Sequence, residues 1–310
     1  MLQLPKMVMP GDRRAGIMRG GVLQIHVTRA CDKACYGCTQ GSNLGGKPVL
    51  ITVEQFEEAC VSLKGYFGVV GMFGGNPCIH PQFEELCRVM RKHVPWEQRG
   101  LWSNALLGKG KHARITFNPA HSNFNVHEDK EAYKEFRRDW PEAFRYVKGL
   151  EDSRHSPVFV SMRDMGMNEE EIWKRVATCD INRLWSAMIC VVRGNLRGFF
   201  CEIAGAQAML HEAEADYPDT GIPIVHGWWQ LRQEAFAEQI RLHCPDCGIP
   251  LRGYGALANS GPAEQVSERH KSIYKPKDRG RLVELVVLRE QLREGALPKA
   301  TDYIQNGSMK

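Results

Sequence analysis

Three cysteines within one eight-residue stretch, Cys31-Asp32-Lys33-Ala34-Cys35-Tyr36-Gly37-Cys38, constrain this chain more than any other segment. They follow an apolar run, Val22 to Val27, that reads as a β-strand. A loop leaving a strand end can wrap three thiolates around one face of a four-iron cube. One iron is then left without a protein ligand, open to a cofactor or substrate. Zinc is a competing reading, although it favours paired Cys-x-x-Cys units and four closed ligands. Three unrelated buried thiols are a third.

The rest of the composition narrows the setting. A chain of 310 residues holds one large domain and a smaller one. A net charge of +5, from 41 basic and 36 acidic residues, is too mild to argue for nucleic acid. No apolar run approaches the roughly 18 residues of a membrane span, and Met1 to Gly21 has no signal-peptide core. The expected setting is the cytoplasm, without membrane or nucleic-acid partners. Eleven cysteines there are poor candidates for disulfides and better ones for ligation.

Strands and helices alternate over the first half. Strand one, Val22 to Val27, leads into the cysteine loop. Thr52 and Gln55 make a capping box for a helix whose Val53, Phe56, Cys60 and Leu63 face the core. Val69 to Gly75 is expected as strand two, ending in Gly74-Gly75-Asn76-Pro77. The stripe Phe83, Leu86, Cys87, Met90 and Val94 follows on a helix. Strand three is expected at Gly100 to Leu106, strand four at Arg114 to Asn118, and then a polar loop from His121 to Asn125. A helix through Tyr133, Phe136, Trp140, Phe144 and Val147 should break at Pro141. Strand five is expected at Val158 to Met162, and a helix capped by Asn168 comes next. This alternation predicts an α/β fold with a parallel sheet and ligands at the carboxyl ends of its strands. After residue 180 the pattern changes to a hairpin, Trp185 to Val192 and Leu196 to Phe200. Helices are expected near Ala204 to Ala215, Trp228 to Leu242 and Leu282 to Leu288.

The cysteine spacing, with an aromatic after the second Cys, resembles the cluster loop of the radical SAM superfamily, and Gly74-Gly75-Asn76-Pro77 resembles that family's Gly-Gly-Glu-Pro turn. The resemblance covers roughly residues 21–190. It implies a partial (β/α)6 barrel over 21–184, after an N-terminal leader at 1–20. It also implies a 4Fe–4S cluster on Cys31, Cys35 and Cys38 that chelates S-adenosylmethionine and cleaves it reductively. The 5′-deoxyadenosyl radical so formed abstracts a substrate hydrogen atom. By the same resemblance, Tyr36 lies against the adenine, and Gly74, Gly75, Asn76 and Pro77 meet the methionyl ammonium. Asn76 stands where the family has an acid, so it accepts without charge assistance. Asn104, Ser161 and Arg163, near predicted strand ends, are candidate cofactor contacts. Ser103, Asn118, His121 and His127 are further polar candidates there, and each is equally well an ordinary loop residue. The resemblance implies an electron donor such as flavodoxin or ferredoxin.

A second set, Cys190, Cys201, Cys244 and Cys247, supplies two thiols from the hairpin and two from a Cys-x-x-Cys knuckle. Four ligands in two pairs make a closed site that suits zinc or a second 4Fe–4S cluster. Cys179 is an alternate ligand. The layout resembles the small α+β auxiliary-cluster domain, called Twitch and related to SPASM, of some radical SAM enzymes. It is expected over 185–262, with a polar extension over 263–310. A closed cluster can take up an electron, which favours oxidation of a small polar metabolite. A peptide-modifying enzyme and a non-enzymatic zinc or iron–sulfur sensor are the alternatives.

Overall fold

The computed structural model describes residues 21–35, 37–44, 49–149, 154–155, 158–177, 179, 186–251, 257–258, 264–265, 267–273 and 282–283. The sequence alternates as expected at its start. Strand β1 (Val22–Thr28) turns Leu23, Ile25 and Val27 into the core and Gln24, His26 and Thr28 to the other face. Helix α1 (Val53–Ser62) starts on the Thr52–Gln55 capping box, each side chain satisfying the other's backbone N–H at 3.1 Å. Strand β2 (Val69–Gly74), helix α2 (Phe83–His93) and strand β3 (Arg99–Ser103) follow. Cys60 and Cys87 are core residues of α1 and α2.

The next two expected strands lie elsewhere. Arg114 to Thr116 belongs to helix α3 (Gly110–Thr116), because Gly110, Ala113 and Thr116 are buried at a spacing of three while Ile115 faces out. Strand β4 is Asn123–Asn125, inside the expected polar loop. Its two asparagines are poor strand formers, and the fully buried Phe124 between them anchors it on Phe136 and Trp140, with ring centroids 4.8 and 5.2 Å away. Helix α4 (Lys130–Asp139) ends at Trp140, before Pro141, as expected. Strand β5 is Val147–Lys148 rather than Val158 to Met162. The latter segment is buried but joins no ladder. Asn168 and Glu171 cap helix α5 (Glu169–Ala177) reciprocally.

Strands β1 to β5 lie in order and parallel. The two residues Arg154–His155 (β6) form a separate ladder with Leu257–Ala258. The sixth parallel strand of the main sheet, β7 (Ser186–Val192), joins beside β1, at the edge opposite β5. Strand β8 (Asn195–Phe199) pairs antiparallel with β7 and closes that edge. The hairpin expected to open a separate C-terminal domain is therefore continuous with the main sheet, and a sixth strand does not extend past β5. The expected helices near 204–215 and 228–242 become α6 (Glu202–His211) and α7 (Ala237–His243), the latter preceded by two 3-10 turns. Of the helix expected at 282–288, only Leu282–Val283 is described. It is extended and pairs with Glu264–Gln265. The leader at 1–20 and most of 263–310 lie outside the described residues. Among the described residues no helix is long and apolar enough to cross a membrane.

Candidate active site

The loop after β1 and the turn after β2 are held together by backbone contact that only glycine permits. Gly75 N–H donates to Thr28 O at 2.7 Å and Asn76 N–H to Ala30 O at 2.8 Å. A Cβ on Gly74 would lie 2.2 Å from Thr28 O, and one on Gly75 would lie 2.3 Å from Ala30 O. The glycines thus serve first to seat the turn against the root of the cysteine loop.

Asn76 completes this joint. It is fully buried. Its Oδ1 accepts from Cys78 N–H at 3.0 Å and from the Ser103 hydroxyl at 2.9 Å. Its Nδ2 donates to Asp32 Oδ1 at 3.0 Å and to Ala105 O at 3.1 Å. Every position of the amide is used within the chain, so the side chain holds no free acceptor for the expected contact with a cofactor ammonium. It ties β2 and β3 to the cysteine loop. Asn104 donates to both oxygens of Asp32, at 2.9 and 3.0 Å, and its Oδ1 lies 3.6 Å from Cys31 Sγ. Burial opposes charge on Asp32, yet the hydrogen bonds from Asn104 and Asn76 outweigh it and hold the carboxyl below its usual range. Lys33 pairs with Asp32 and with Asp129, the N-cap of α4. Asn76→Ala strands several buried groups of this joint and is expected to cost about 2 to 4 kcal/mol, read as a lower urea midpoint at unchanged slope.

Cys31, Cys35 and Cys38 open onto a cavity of about 410 Å3, which Gly74, Gly75 and Asn104 also line. Burial, then the neighbouring Cys38 and Cys31, pushes the Cys35 thiol well up. Three sulfurs facing one space are a donor set that a cationic iron centre satisfies. Pro77 is buried at the start of a 3-10 turn behind this site. Tyr36 lies outside the described residues. Gln40 and Ser42, just past the cysteines, line the same cavity, and Gln40 Oε1 and Ser42 Oγ are buried without partners among the described residues.

Several lining residues escaped the sequence reading. Phe73, Trp102, Asn123, Asn125 and Lys148 lie on or just after β2 to β5, and Gln24, Ser186 and Glu202 complete the wall. The alternation Asn123-Phe124-Asn125 and the lone Gln24 in an apolar strand were available signals. Glu202 offered none. His127 lines the cavity, whereas Asn118 caps a 3-10 turn.

His26 sits buried on the Gln24 face of β1, with Nε2 unpartnered among the described residues. Burial, helped by nearby Arg29, pushes it down to about 3. The unfolded chain takes up this proton near pH 6.5 and the folded chain excludes it. Stability is therefore complete above pH 6.5 and falls below it, by about 1.4 kcal/mol per pH unit from this one group until the folded value is reached. Urea titrations at stepped pH should show a shallower acid slope for His26→Gln than for wild type. Parallel slopes would contradict this.

The second cysteine set assembles with one exchange. Cys179, Cys201, Cys244 and Cys247 line a small apolar cavity of about 20 Å3, with Phe200 and Ile203. Cys190 does not join them. It faces α6 from β7, its Sγ 3.9 Å from Gly205 O. Cys201, Cys244 and Cys247 are all pushed up by burial and then by neighbouring thiols, Cys179 among them. His243, which also lines this cavity, is driven down to about 3 by burial and is held by Tyr217 and Gln207.

Ser161 and Arg163, expected as cofactor contacts, lie beside the knuckle and do not line the first cavity. Ser161 donates to Asp246 at 2.8 Å, Arg163 pairs with Asp246 at 3.4 Å, and Met162 N–H donates to Pro245 O at 2.9 Å. This segment braces the Cys-x-x-Cys knuckle, which explains why it is buried outside any ladder. Among the described residues no three His, Cys, Asp or Glu side chains converge tightly enough to hold a single metal ion.

A family model described as the Radical SAM superfamily matches residues 25–177. Among solved structures, the chain is similar to BtrN in complex with AdoMet and 2-DOIA. The identity is 10% and the TM-score 0.38, over 77% of this chain and 92% of that one. No curated protein matches it in sequence.

Proposed function

From the match of a radical SAM superfamily model to residues 25–177, we propose an oxidoreductase that removes a hydrogen atom and an electron from a small polar metabolite. One observation carries the reading: the three cysteines share their cavity with Gly74, Gly75 and a polar inner wall. When bound, the 4Fe–4S cluster and S-adenosylmethionine supply a 5′-deoxyadenosyl radical that takes the hydrogen atom.

The chain's own residues divide the remaining work. Cys31, Cys35 and Cys38 hold the cluster. Asp32, fixed by Asn76 and Asn104, and Lys33, fixed by Asp129, keep the loop in place during reduction. Gly74, Gly75 and Asn104 border the space for S-adenosylmethionine, and the unpartnered Gln40 and Ser42 oxygens accept from its donors. Phe73 and Trp102 line the cavity with apolar surface that keeps water from the reacting carbon. Cys179, Cys201, Cys244 and Cys247 hold a second 4Fe–4S cluster, the electron acceptor. Flavodoxin or ferredoxin serves as donor in the cytoplasm. A cavity of about 410 Å3 suits a metabolite better than a peptide.

The test is anaerobic reconstitution followed by reduction with S-adenosylmethionine present. About eight irons per chain, with 5′-deoxyadenosine and methionine as products, are expected. Full iron loading without either product would sink the enzymatic reading and leave the sensor reading.

A further inference from the structure

One group of cavity side chains has no part in holding the cysteine loop. Gln24 on β1, Ser186 at the start of β7 and Glu202 at the start of α6 meet at the cavity wall. All descend from elements at the β1–β7 seam. β1 rises about 3.3 Å per residue, which puts Gln24 roughly 13 Å along the strand from Thr28, at whose end the cysteine loop departs. The trio therefore lies at the far end of the cavity from the cluster loop.

Its hydrogen bonds leave a definite remainder. Gln24 Nε2 donates to both Ser186 Oγ and Glu202 Oε2. The Ser186 hydroxyl donates to the same Glu202 oxygen at 2.8 Å. An amide nitrogen has two N–H groups and a hydroxyl one, so every donor of the trio is used internally. Burial pushes the Glu202 carboxyl up, against the hydrogen bonds from Ser186 and Gln24; in its ionised form it only accepts, which sets the Gln24 nitrogen toward it and turns the Gln24 oxygen away. Gln24 is 2% exposed, and its Oε1 is buried with no partner among the described residues. Glu202 Oε1 has no partner among the described residues either. The positions that the trio leaves unused are acceptors. An occupant that satisfies them must bring N–H or O–H donors, and one that brings a carboxylate meets repulsion.

We propose that Gln24, Ser186 and Glu202 form the substrate subsite and select a polyhydroxylated molecule that presents adjacent hydroxyl or ammonium donors. This rests on the assignment of the cavity as the active site.

The experiment titrates full-length, anaerobically reconstituted protein, loaded with S-adenosylmethionine, with glucosamine and separately with glucuronate. Wild type is expected to bind glucosamine more tightly. Glu202→Gln keeps the internal bonds but turns the free acceptor into an N–H donor. Glucosamine affinity should fall about tenfold or more, the scale of one hydrogen bond to a charged group. Glucuronate affinity should hold or rise. Gln24→Met deletes the orphaned acceptor and should weaken glucosamine without helping glucuronate. Affinity for S-adenosylmethionine is measured on the same proteins. A loss there as large as the loss for glucosamine would assign the trio to the cofactor and overturn the proposal. Equal binding of the two probes by wild type, or no glucosamine binding, would overturn it without any variant. Wild-type protein that binds glucosamine selectively yet makes no 5′-deoxyadenosine would instead fault the radical assignment alone.

Discussion

Replacing Cys35 with alanine is expected to reduce 5′-deoxyadenosine formation to the level of cluster-free protein. Cys35 is 8% exposed and sits between Cys31 and Cys38 at the cavity. Cys78, two residues past Asn76, is 3% exposed and packed 3.8 Å from the Ser103 hydroxyl, so it offers no replacement thiolate. Two thiolates leave the cube two open corners and a weak hold, so iron should fall from about eight to about four per chain. Fold damage is separable from ligand loss. The second site lies on α5, α6 and the knuckle after α7, and its four irons should remain in the variant. Removing one small buried side chain should cost only about 1 kcal/mol of stability. A Cys35→Ala protein that forms 5′-deoxyadenosine at the wild-type rate would end the assignment of this loop. Cys31→Ala and Cys38→Ala are expected to behave alike.

The second large effect separates two cysteines, Cys190, the expected ligand, and Cys179, its alternate, which the structure places in different surroundings. Cys179→Ala is expected to lose the second cluster, with iron falling from about eight to about four, while Cys190→Ala keeps about eight. The reason is geometric. Cys179 shares its cavity with Cys201, Cys244 and Cys247, whereas Cys190 is enclosed against Gly205 on the far side of α6. On the proposed function, the Cys179→Ala protein should still cleave S-adenosylmethionine but fail to complete substrate oxidation, because the proposed electron acceptor would be missing. A ligand lost from a structural centre also removes folding energy, so melting curves of both variants accompany the iron counts. Cys190→Ala should melt lower through packing alone, yet hold its iron. Iron loss in Cys190→Ala with full loading in Cys179→Ala would reverse the assignment. Stoichiometric zinc in anaerobically isolated wild type would remove the second cluster altogether.

The sequence by itself determined the local features whose signals span only a few residues. The cysteine loop after a buried strand, the capping boxes at Thr52 and Asn168, the core roles of Cys60 and Cys87 and the stop before Pro141 all depend on spacing or dihedral preference within one element. They were legible because each such signal is printed in consecutive residues. The Gly-Gly turn was legible as a site, though its tightest constraint is contact with Thr28 and Ala30 rather than with a ligand. Only the tertiary structure decided which distant residues meet. Strand β4 exists because Phe124 finds Phe136 and Trp140, against the propensity of its flanking asparagines. Strand β7 could have begun a separate domain, but it pairs with β1 instead of extending past β5. That pairing carries Ser186 and Glu202 to Gln24, about 160 residues earlier in the chain. Asn76, Ser161 and Arg163 are bonded to partners supplied by other segments, Asp32, Ser103 and Asp246, which no local window announces. Hydrogen-bond partners and strand neighbours at such separations are set by which surfaces pack, and packing is a property of the whole chain rather than of any window in it.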